Sequence, residues 1–355
     1  MPHMFVPGPV DVDPDILNAQ TQPMLPHRSP EFEASFHGAI EKAQRLFYTQ
    51  GRVFLFASSG TGLQEAAVRN LSRENILSCV NGAFGSRWYD VAVSNGLQAE
   101  KLEVPWGQPV TPEQVAEKLR DEPYDIITLV HNETSTGLQN PVEEIAKVVR
   151  AADPDTLICI DAVSSLGGTK IETDAWGLDM VLTSSQKCLA LPPGLALAAV
   201  SDRAMRRAEE VPHRGWYFDL LRMEKHRLKD STPATPAISL INALDAQLDR
   251  ILKEGLEERF ARHSAMAKRT HSWALKRCFG LFAQDGFRSQ TVTTLKNLLD
   301  LDFQDLNRFL LERGMRIANG YGVLKNETFR IAHMGETRME DLDILLTAID
   351  EFIEA

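Results

Sequence analysis

Short apolar runs alternate with helical patterns from about residue 35 to residue 200. Two of these runs, at 126–130 and 157–160, are apolar almost throughout rather than alternating, which indicates strands buried on both faces, as in a parallel sheet covered by helices. Helical patterns separate the runs at 62–72, 84–96, 111–121 and 141–152. The predicted strands are Val53–Ala57, Ile76–Val80, Lys101–Val104, Ile126–His131, Leu157–Asp161, Met180–Thr183 and Ala196–Val200. This order predicts an α/β fold with a mainly parallel seven-stranded sheet.

The pattern changes after about residue 236. One long helical pattern runs from Pro236 to about Leu275, and strand signals return only in short pieces at 291–295 and 328–332 before a last helix over 339–353. We therefore predict a large α/β domain over 1–250, with a proline-rich N-terminal arm, and a smaller α+β domain over 251–355. The long helix would join the two domains.

Composition narrows the choice of function. The 355 residues carry a formal net charge of −11 and no long basic stretch, which argues against a nucleic-acid partner. The cysteines show neither a paired motif nor zinc-ligand spacing, so we expect no metal site and a reducing, cytoplasmic compartment; they are Cys79, Cys159, Cys188 and Cys278. No signal peptide and no apolar window of about 18 residues is evident, so no contact with a membrane is expected.

A glycine-containing segment, Ser58–Ala66, follows the strand at 53–57 and opens a helix. Backbone amides converge at such a helix start and favour a phosphate. The segment is not a dinucleotide-binding fingerprint, because Glu65 stands where the third glycine should be, and no Gly-Lys-Ser/Thr follows for a Walker A loop. Taken alone, it fits a plain strand-to-helix turn equally well.

Two charged residues follow predicted strands. Asp161 closes the strand at 157–160, and Lys187 lies between the strand at 180–183 and an apolar Pro192-Pro193-Gly194 turn. Lysine is costly to bury, and a partly desolvated amine loses its proton and can form an imine. An imine-forming lysine, a carboxylate for a ring nitrogen and a phosphate cup are what pyridoxal 5′-phosphate requires. The three motifs together therefore predict this cofactor.

Further motifs appear in a fixed order along the chain, and the set resembles the class V, fold-type I pyridoxal-phosphate aminotransferases, close to the alanine/serine–glyoxylate group. The segments that carry the resemblance are Pro7–Pro9, His27–Phe32, Ser59–Gly62, Asn81–Gly85, His131–Gly137, Asp161–Ser165, Ser184–Lys187 and Phe329–Ala332. The resemblance implies a homodimer with shared active sites.

The resemblance also implies roles for the cofactor-binding residues. Lys187 would be the Schiff-base lysine and the acid and base of the reaction, and Asp161 would pair with the pyridine nitrogen. Val163 would pack on one ring face, and Phe84 stands where the family often carries tryptophan. Phosphate would be bound by Ser59, Gly60, Thr61, Gln186 and, from the neighbouring subunit, Thr235, while Thr134 would lie near the ring hydroxyl. The Thr232–Pro236 repeat allows a second register, with Thr232 in the place of Thr235.

For the substrate, the resemblance implies that Arg330 grips the α-carboxylate and that His27 and Arg28 contribute. Alanine or serine as donor and glyoxylate or pyruvate as acceptor are expected, with phosphoserine or aspartate as alternative donors. The segment 320–325 is expected to border the site. A cysteine desulfurase would need a reactive cysteine in the C-terminal part, and the candidate there, Cys278, follows an amphipathic helix and is expected to be packed.

Overall fold

A computed structural model describes residues 3–354 of the chain. The strands are β1 (His3–Phe5), β2 (Arg52–Phe56), β3 (Asn75–Val80), β4 (Gln98–Glu103), β5 (Ile126–Val130), β6 (Asn132–Glu133), β7 (Leu138–Gln139), β8 (Leu157–Asp161), β9 (Met180–Ser184), β10 (Ala196–Val200), β11 (Gly280–Leu281), β12 (Val292–Lys296), β13 (Met315–Asn319) and β14 (Thr328–Ala332). The helices are α1 (Pro14–Ala19), α2 (Pro30–Phe47), α3 (Gly60–Leu71), α4 (Ala83–Ser94), α5 (Pro112–Asp121), α6 (Val142–Ala152), α7 (Asp202–Glu210), α8 (Leu220–Arg227), α9 (Ile238–Glu254), α10 (Leu256–Lys276), α11 (Phe303–Glu312) and α12 (Met339–Glu354), with one short 3₁₀ turn at Gly322–Leu324.

The predicted seven-stranded sheet is confirmed. Its order is β2-β10-β9-β8-β5-β3-β4, and the five strands from β9 to β4 are parallel to one another. β10 runs antiparallel to both β2 and β9. Each of the seven predicted runs forms one of these strands, and β4 begins three residues earlier than the sequence predicted.

The central strands are buried on both faces, as their uniform apolar runs indicated. In β8, Ile158 and Ile160 pack into a core shared with α2, α6 and α9, whereas Leu157 and Cys159 face a second core shared with α3 and α7. Helices cover the sheet on both sides, so the carboxyl edge is where polar groups at the strand ends can meet a ligand.

A second, smaller sheet has the order β1-β13-β14-β12-β11. Its core contains Trp273, Phe279 and Phe329 together with the apolar face of α12. β1, from the N-terminal arm, pairs in parallel with β13, so the arm crosses from the second sheet to the first. The division of the chain at residue 250 stays a prediction.

The single long helix expected over 236–275 is wrong. The segment forms two helices, α9 and α10, which meet at Gly255. Gly255 has φ of +92°, a left-handed conformation that interrupts the helical hydrogen bonding and that side chains rarely adopt. Within residues 3–354, no helix is long and apolar enough to cross a membrane.

Candidate active site

A cavity of about 200 Å³ lies at the carboxyl edge of the large sheet, next to the start of α3. It brings together nine of the residues that the sequence placed at the cofactor. The residues that line it are Ser59, Gly60, Thr61, Gln64, Phe84, Arg87, Val130, Asn132, Thr134, Asp161, Val163, Ser164, Ser184, Gln186 and Lys187.

Lys187 follows β9 and is buried, with 8% of its surface exposed. Burial, reinforced by the positive charge of Arg330, lowers the pKa of its amine to about 8, and the negative charge of Asp161 opposes this shift. The N-terminal arm covers the lysine: Gly8 has φ of +102°, and a Cβ added there would lie 2.8 Å from Lys187 Cδ. Only glycine fits at this contact, which gives the Pro7–Pro9 motif a physical reason.

Asp161 ends β8 and is held by two donors. Gln64 Nε2 donates to Asp161 Oδ2 at 2.8 Å, and the Val163 amide donates to Asp161 Oδ1 at 2.9 Å. Burial raises the pKa of the carboxyl, while these donors and the charges of Lys187 and Arg87 lower it. Because both oxygens are fixed, the carboxylate has a defined direction in which to meet a cationic ring nitrogen.

The start of α3 forms an anion-binding end of the cavity. Ser59 is the N-cap residue of this helix, but its side chain accepts no hydrogen bond from the helix. The N–H groups of the first turn therefore remain available to an anion in the cavity, at the positive end of the helix dipole. Gly60 leaves no room for a side chain, because a Cβ would lie 2.5 Å from Val163 Cγ2 and 3.5 Å from Ser184 Oγ. The Ser184 hydroxyl therefore lies beside the helix start and has no hydrogen-bond partner within the described residues.

Glu133 holds the part of the cavity wall that carries the Phe84 ring. Its Oε2 accepts hydrogen bonds from the amides of Phe84 and Gly85, each at 3.0 Å, and so caps the start of α4. Burial raises the pKa of this carboxyl, while hydrogen bonds from Ser135 and these amides lower it. Phe84 is thereby held on a rigid helix start with its ring facing the cavity.

Arg330 lies on β14, at the border of the cavity. Its Nε donates to the Asn319 carbonyl at 3.0 Å and its Nη1 to the Thr134 carbonyl at 3.3 Å. Nη2 makes no hydrogen bond within residues 3–354. Burial lowers the pKa of the guanidinium to about 10, and the neighbouring Tyr321 and Glu133 oppose the shift. One prong of the fork is therefore free for an external acceptor.

Four predicted site residues do not line this cavity. Arg330 adjoins it through its contact with the Thr134 carbonyl, whereas Thr235 lies in a separate groove with Trp216. His27 lies beside the segment that leads to Thr235, since Ser231 Oγ donates to the His27 carbonyl at 3.4 Å. Arg28 is exposed. Their roles stay predictions. Cys278, expected to be packed, is instead exposed, in a left-handed turn with φ of +62° that ends α10, and it does not line the cavity.

The model of the aminotransferase class V family matches residues 16–345. The chain belongs to the class V aminotransferases. It is 34% identical to the L-aspartate–glyoxylate aminotransferase of Paracoccus denitrificans, over 94% of this chain and 86% of the relative. The serine–glyoxylate aminotransferase of Methylorubrum extorquens is 32% identical, over 97% of this chain and 88% of the relative. The solved subgroup IV aspartate aminotransferase of Thermus thermophilus has a TM-score of 0.92 and 32% identity, covering 99% of both chains.

Class V aminotransferases use pyridoxal 5′-phosphate, and the cavity fits this cofactor. Three buried polar atoms on its wall, Gln64 Oε1, Asn132 Oδ1 and Ser184 Oγ, have no hydrogen-bond partner within residues 3–354. Buried polar atoms are normally paired, so these atoms indicate a site shaped for a polar ligand. The Ser184 hydroxyl and the uncapped helix start can donate hydrogen bonds to an anionic group of that ligand. The cavity thus contains a buried amine, an oriented carboxylate and an uncapped helix start.

Sequence reasoning missed several residues of this aminotransferase site. Gln64 and Arg87 had a local signal, because each lies one helical turn beyond a predicted site residue, Gly60 and Phe84 respectively. Tyr321 lies in the segment expected to border the site, and its ring centroid is 5.5 Å from that of Phe84. This contact joins two parts of the chain that are far apart in sequence, which no local pattern reveals.

Proposed function

We propose that this aminotransferase moves the amino group of a small amino acid to glyoxylate or pyruvate, with alanine, serine or aspartate as the donor. The observation that carries the proposal is a single buried amine, with its pKa near neutrality, in one cavity with an oriented carboxylate. The relatives whose names include glyoxylate support this acceptor.

When bound, pyridoxal phosphate supplies an aldehyde that accepts the amine and a ring that takes up the electrons released at the substrate Cα. The residues of the chain do the rest. Asp161 would keep the pyridine nitrogen protonated, and Lys187 Nζ would take the proton from the substrate Cα and deliver it to the carbon of the former aldehyde group. The free prong of Arg330 would bind the α-carboxylate, and the start of α3 with Ser184 would bind the phosphate.

The lowered pKa of Lys187 suits this proton transfer. A base whose pKa is close to the working pH is available both to accept and to return a proton, whereas an exposed lysine would stay charged. The arm at Gly8 packs against the aliphatic stem of Lys187, next to its Cδ and Cε atoms, and so contributes to the burial that lowers the pKa of the amine.

A half-reaction screen tests the proposal. The cofactor-loaded enzyme is mixed separately with alanine, serine, aspartate and phosphoserine. The cofactor bound to Lys187 absorbs near the edge of the visible range, and loss of this absorbance band reports amine transfer. We expect bleaching by one or more of the first three and recovery on adding glyoxylate. Bleaching by phosphoserine alone would contradict the donor class but not the transaminase activity.

The role of Lys187 has a separate test. Lys187→Ala removes the amine, so the absorbance band and amino transfer are both expected to disappear, while Lys268→Ala, an exposed lysine on α10, keeps both. A Lys187→Ala enzyme that retains turnover would refute the assignment.

We also propose a homodimer in which Thr235 reaches the cofactor phosphate of the neighbouring copy. Trp216 and Tyr217 are 53% and 43% exposed beside Thr235, a large aromatic patch for a free surface. Thr232 is less suitable, because it is buried and its hydroxyl donates to the Ala234 carbonyl at 2.7 Å. Light scattering of the purified enzyme tests the dimer, and a monomeric holoenzyme would refute it.

Within a dimer of this kind, the segment of His27 and Arg28 would serve the neighbouring copy's cavity, since it lies on the side of Thr235 rather than at its own cavity. A cytoplasmic location stays a prediction.

A further inference from the structure

Arg87 lies on α4, one turn after Phe84, and it lines the cavity. Its guanidinium carbon is 4.8 Å from the centroid of the Phe84 ring. Its two hydrogen bonds are long and go to neutral oxygens: Nη1 donates to Thr61 Oγ1 at 3.3 Å and Nη2 to the Tyr321 hydroxyl at 3.4 Å. The side chain is therefore held in place without a carboxylate in direct contact with it.

This lack of a counter-ion is rare in the molecule. Across residues 3–354, only three arginines that are not exposed have no carboxylate within 4 Å: Arg87, Arg222 and Arg330. Arg222 is stacked on Trp216 at 4.8 Å, away from the cavity. The other two border the cavity, and a partly desolvated cation without an anion is costly unless a ligand supplies one.

Tyr321 connects these two arginines. The Arg330 guanidinium carbon is 5.5 Å from the centroid of the Tyr321 ring, and the hydroxyl at the other end of that ring contacts Arg87. Lys187 Nζ, where the donor must react, is 5.7 Å from the Phe84 centroid. Two guanidinium groups thus flank the Tyr321 ring, and one of them, that of Arg87, lies over the same Phe84 ring as the reacting amine.

We propose that Arg87 binds the second carboxylate of a dicarboxylic donor, so that the preferred donor class is the four-carbon amino dicarboxylate represented by aspartate. Arg330 takes the α-carboxylate through its free prong, and Arg87 takes the distal carboxylate through its planar fork. This inference rests on the proposed aminotransferase function and names its donor. Alanine and serine lack the second carboxylate and leave Arg87 unpaired, so they are weaker donors for the same chemistry.

A different anion could occupy Arg87. Thr61 is one of its two contacts and belongs to the anion-binding end of the cavity, so the cofactor phosphate is the competing partner. The contact to Tyr321 and the stacking on Phe84 place the other prong on the side of Arg330, which favours the substrate. The two roles differ in what an Arg87 substitution does to cofactor affinity.

The test compares Arg87→Gln with the wild-type holoenzyme, using aspartate and alanine as donors and glyoxylate as acceptor. Loss of a charge-assisted pair should lower kcat/KM for aspartate by about 10–100-fold, mainly through a higher KM. The value of kcat/KM for alanine should change by less than about threefold. The dissociation constant for pyridoxal phosphate stays unchanged. Arg87→Lys, which keeps the charge but loses the fork, is expected to fall between the two and serves if the glutamine variant fails to fold.

Succinate gives a readout that needs no turnover of the dicarboxylate. As an amine-free dicarboxylate it should compete with alanine in the wild-type enzyme, and Arg87→Gln should weaken that competition about as much as it lowers aspartate use. Arg28→Gln tests the competing assignment, because Arg28 is the other cation that a neighbouring copy could bring to the site; if Arg87 binds the distal carboxylate, the aspartate-to-alanine ratio should not change. Arg269→Gln, an exposed arginine paired with Asp343 and outside the cavity, is the matched control and should leave the use of both donors unchanged.

Three outcomes would overturn the inference. A weaker affinity for pyridoxal phosphate with equal losses for both donors would make Arg87 a phosphate anchor. A selective loss of aspartate use in Arg28→Gln rather than Arg87→Gln would place recognition on the neighbouring copy. A wild-type preference for alanine that Arg87→Gln does not alter would exclude a dicarboxylate site while leaving the aminotransferase function intact, whereas no transfer from any donor would contradict the proposed function itself.

Discussion

Two groups of arginines in this aminotransferase differ in the partners that neutralise their charge. Arg259 is fully buried, and its five N–H groups have five acceptors: the carbonyls of Gly167, Cys188 and Gly335 and the carboxylates of Glu254 and Glu336. Arg87 and Arg330, at the cavity, have only neutral acceptors, and the hydrogen bonds of Arg87 exceed 3.2 Å. The first group is complete within the chain, and the second is complete only with a ligand.

The difference distinguishes arginines that stabilise the fold from arginines that bind a ligand. Arg259 joins the residue after Lys187 to the loop that follows Asp161, so it fixes the two segments that carry the reacting groups. Carboxylates beside it are held ionised: the pKa of Glu254 is lowered to about 2, because the hydrogen bonds and charges of Arg262 and Arg259 outweigh burial. A cation that is needed for binding must lack such partners, since an internal carboxylate would compete with the substrate.

The largest expected effect is in the paired group. Arg259→Ala removes a fully buried side chain with five hydrogen bonds, together with one counter-ion of Glu254 and of Glu336, and should lower the free energy of unfolding by about 3–5 kcal/mol. Urea unfolding of the apoenzyme measures it. Arg269→Ala, which breaks an exposed pair with Asp343, is the control and should cost less than about 1 kcal/mol.

Arg87→Gln should behave like the control in the same unfolding experiment, because it removes no carboxylate pair. Equal destabilisation by the Arg259 and Arg87 substitutions would mean that both arginines support the fold, and the contrast between the two groups would fail.

The next prediction concerns the negative charge that the Asp161 carboxylate brings to the cavity. Asp161→Asn keeps a side chain that accepts a hydrogen bond from the Val163 amide, but it no longer balances a protonated ring nitrogen. We expect the cofactor to stay bound while kcat falls by about 10²–10³-fold, as when one preorganised electrostatic partner is removed. Single-turnover kinetics with the donor in excess measure the step. Near-normal turnover would contradict the role of this carboxylate.

The sequence predicted the parts of this site that follow from local order. Seven apolar runs predicted seven strands, and Asp161 and Lys187 stood out because charged residues directly follow buried strands. The break at Gly255 was missed although a glycine inside a helical pattern was visible, because the apolar periodicity continues on both sides of it.

Non-local contacts explain what the sequence could not predict. Arg87 and Tyr321 are 234 residues apart, and their contact depends on how the second sheet meets the first. Likewise, Ser184 was seen only as part of a motif, because its place beside Gly60 depends on β9 ending next to the start of α3. Such residues become visible only when the strand order is known.

The pH dependence of cofactor capture tests the charges around Lys187. Only the neutral amine attacks the aldehyde, so the rate at which apoenzyme captures pyridoxal phosphate should rise with pH and level off above the lysine pKa of about 8. Arg330→Gln removes a positive neighbour and should move the midpoint to higher pH, whereas Asp161→Asn removes a negative one and should move it lower. Stopped-flow absorbance measures both.

Arg330→Lys is the matched control, because it keeps the charge and should keep the midpoint while losing the prong that binds the α-carboxylate. A midpoint that moves in the same direction in the glutamine variant of Arg330 and the asparagine variant of Asp161 would show that solvent entry, rather than charge, sets the pKa of Lys187.

The smallest effect is expected at Tyr321. Tyr321→Phe removes the hydroxyl that accepts a 3.4 Å hydrogen bond from Arg87 but keeps the ring between the two arginines. A long bond to a neutral acceptor contributes little, so kcat/KM for aspartate should fall about two- to fivefold with alanine unaffected. Tyr321→Ala also removes the ring against Arg330 and should reduce the use of both donors, because both carry an α-carboxylate. If the phenylalanine variant instead affected alanine as much as aspartate, Tyr321 would act on the α-carboxylate side, and the division of labour between the two arginines would be wrong.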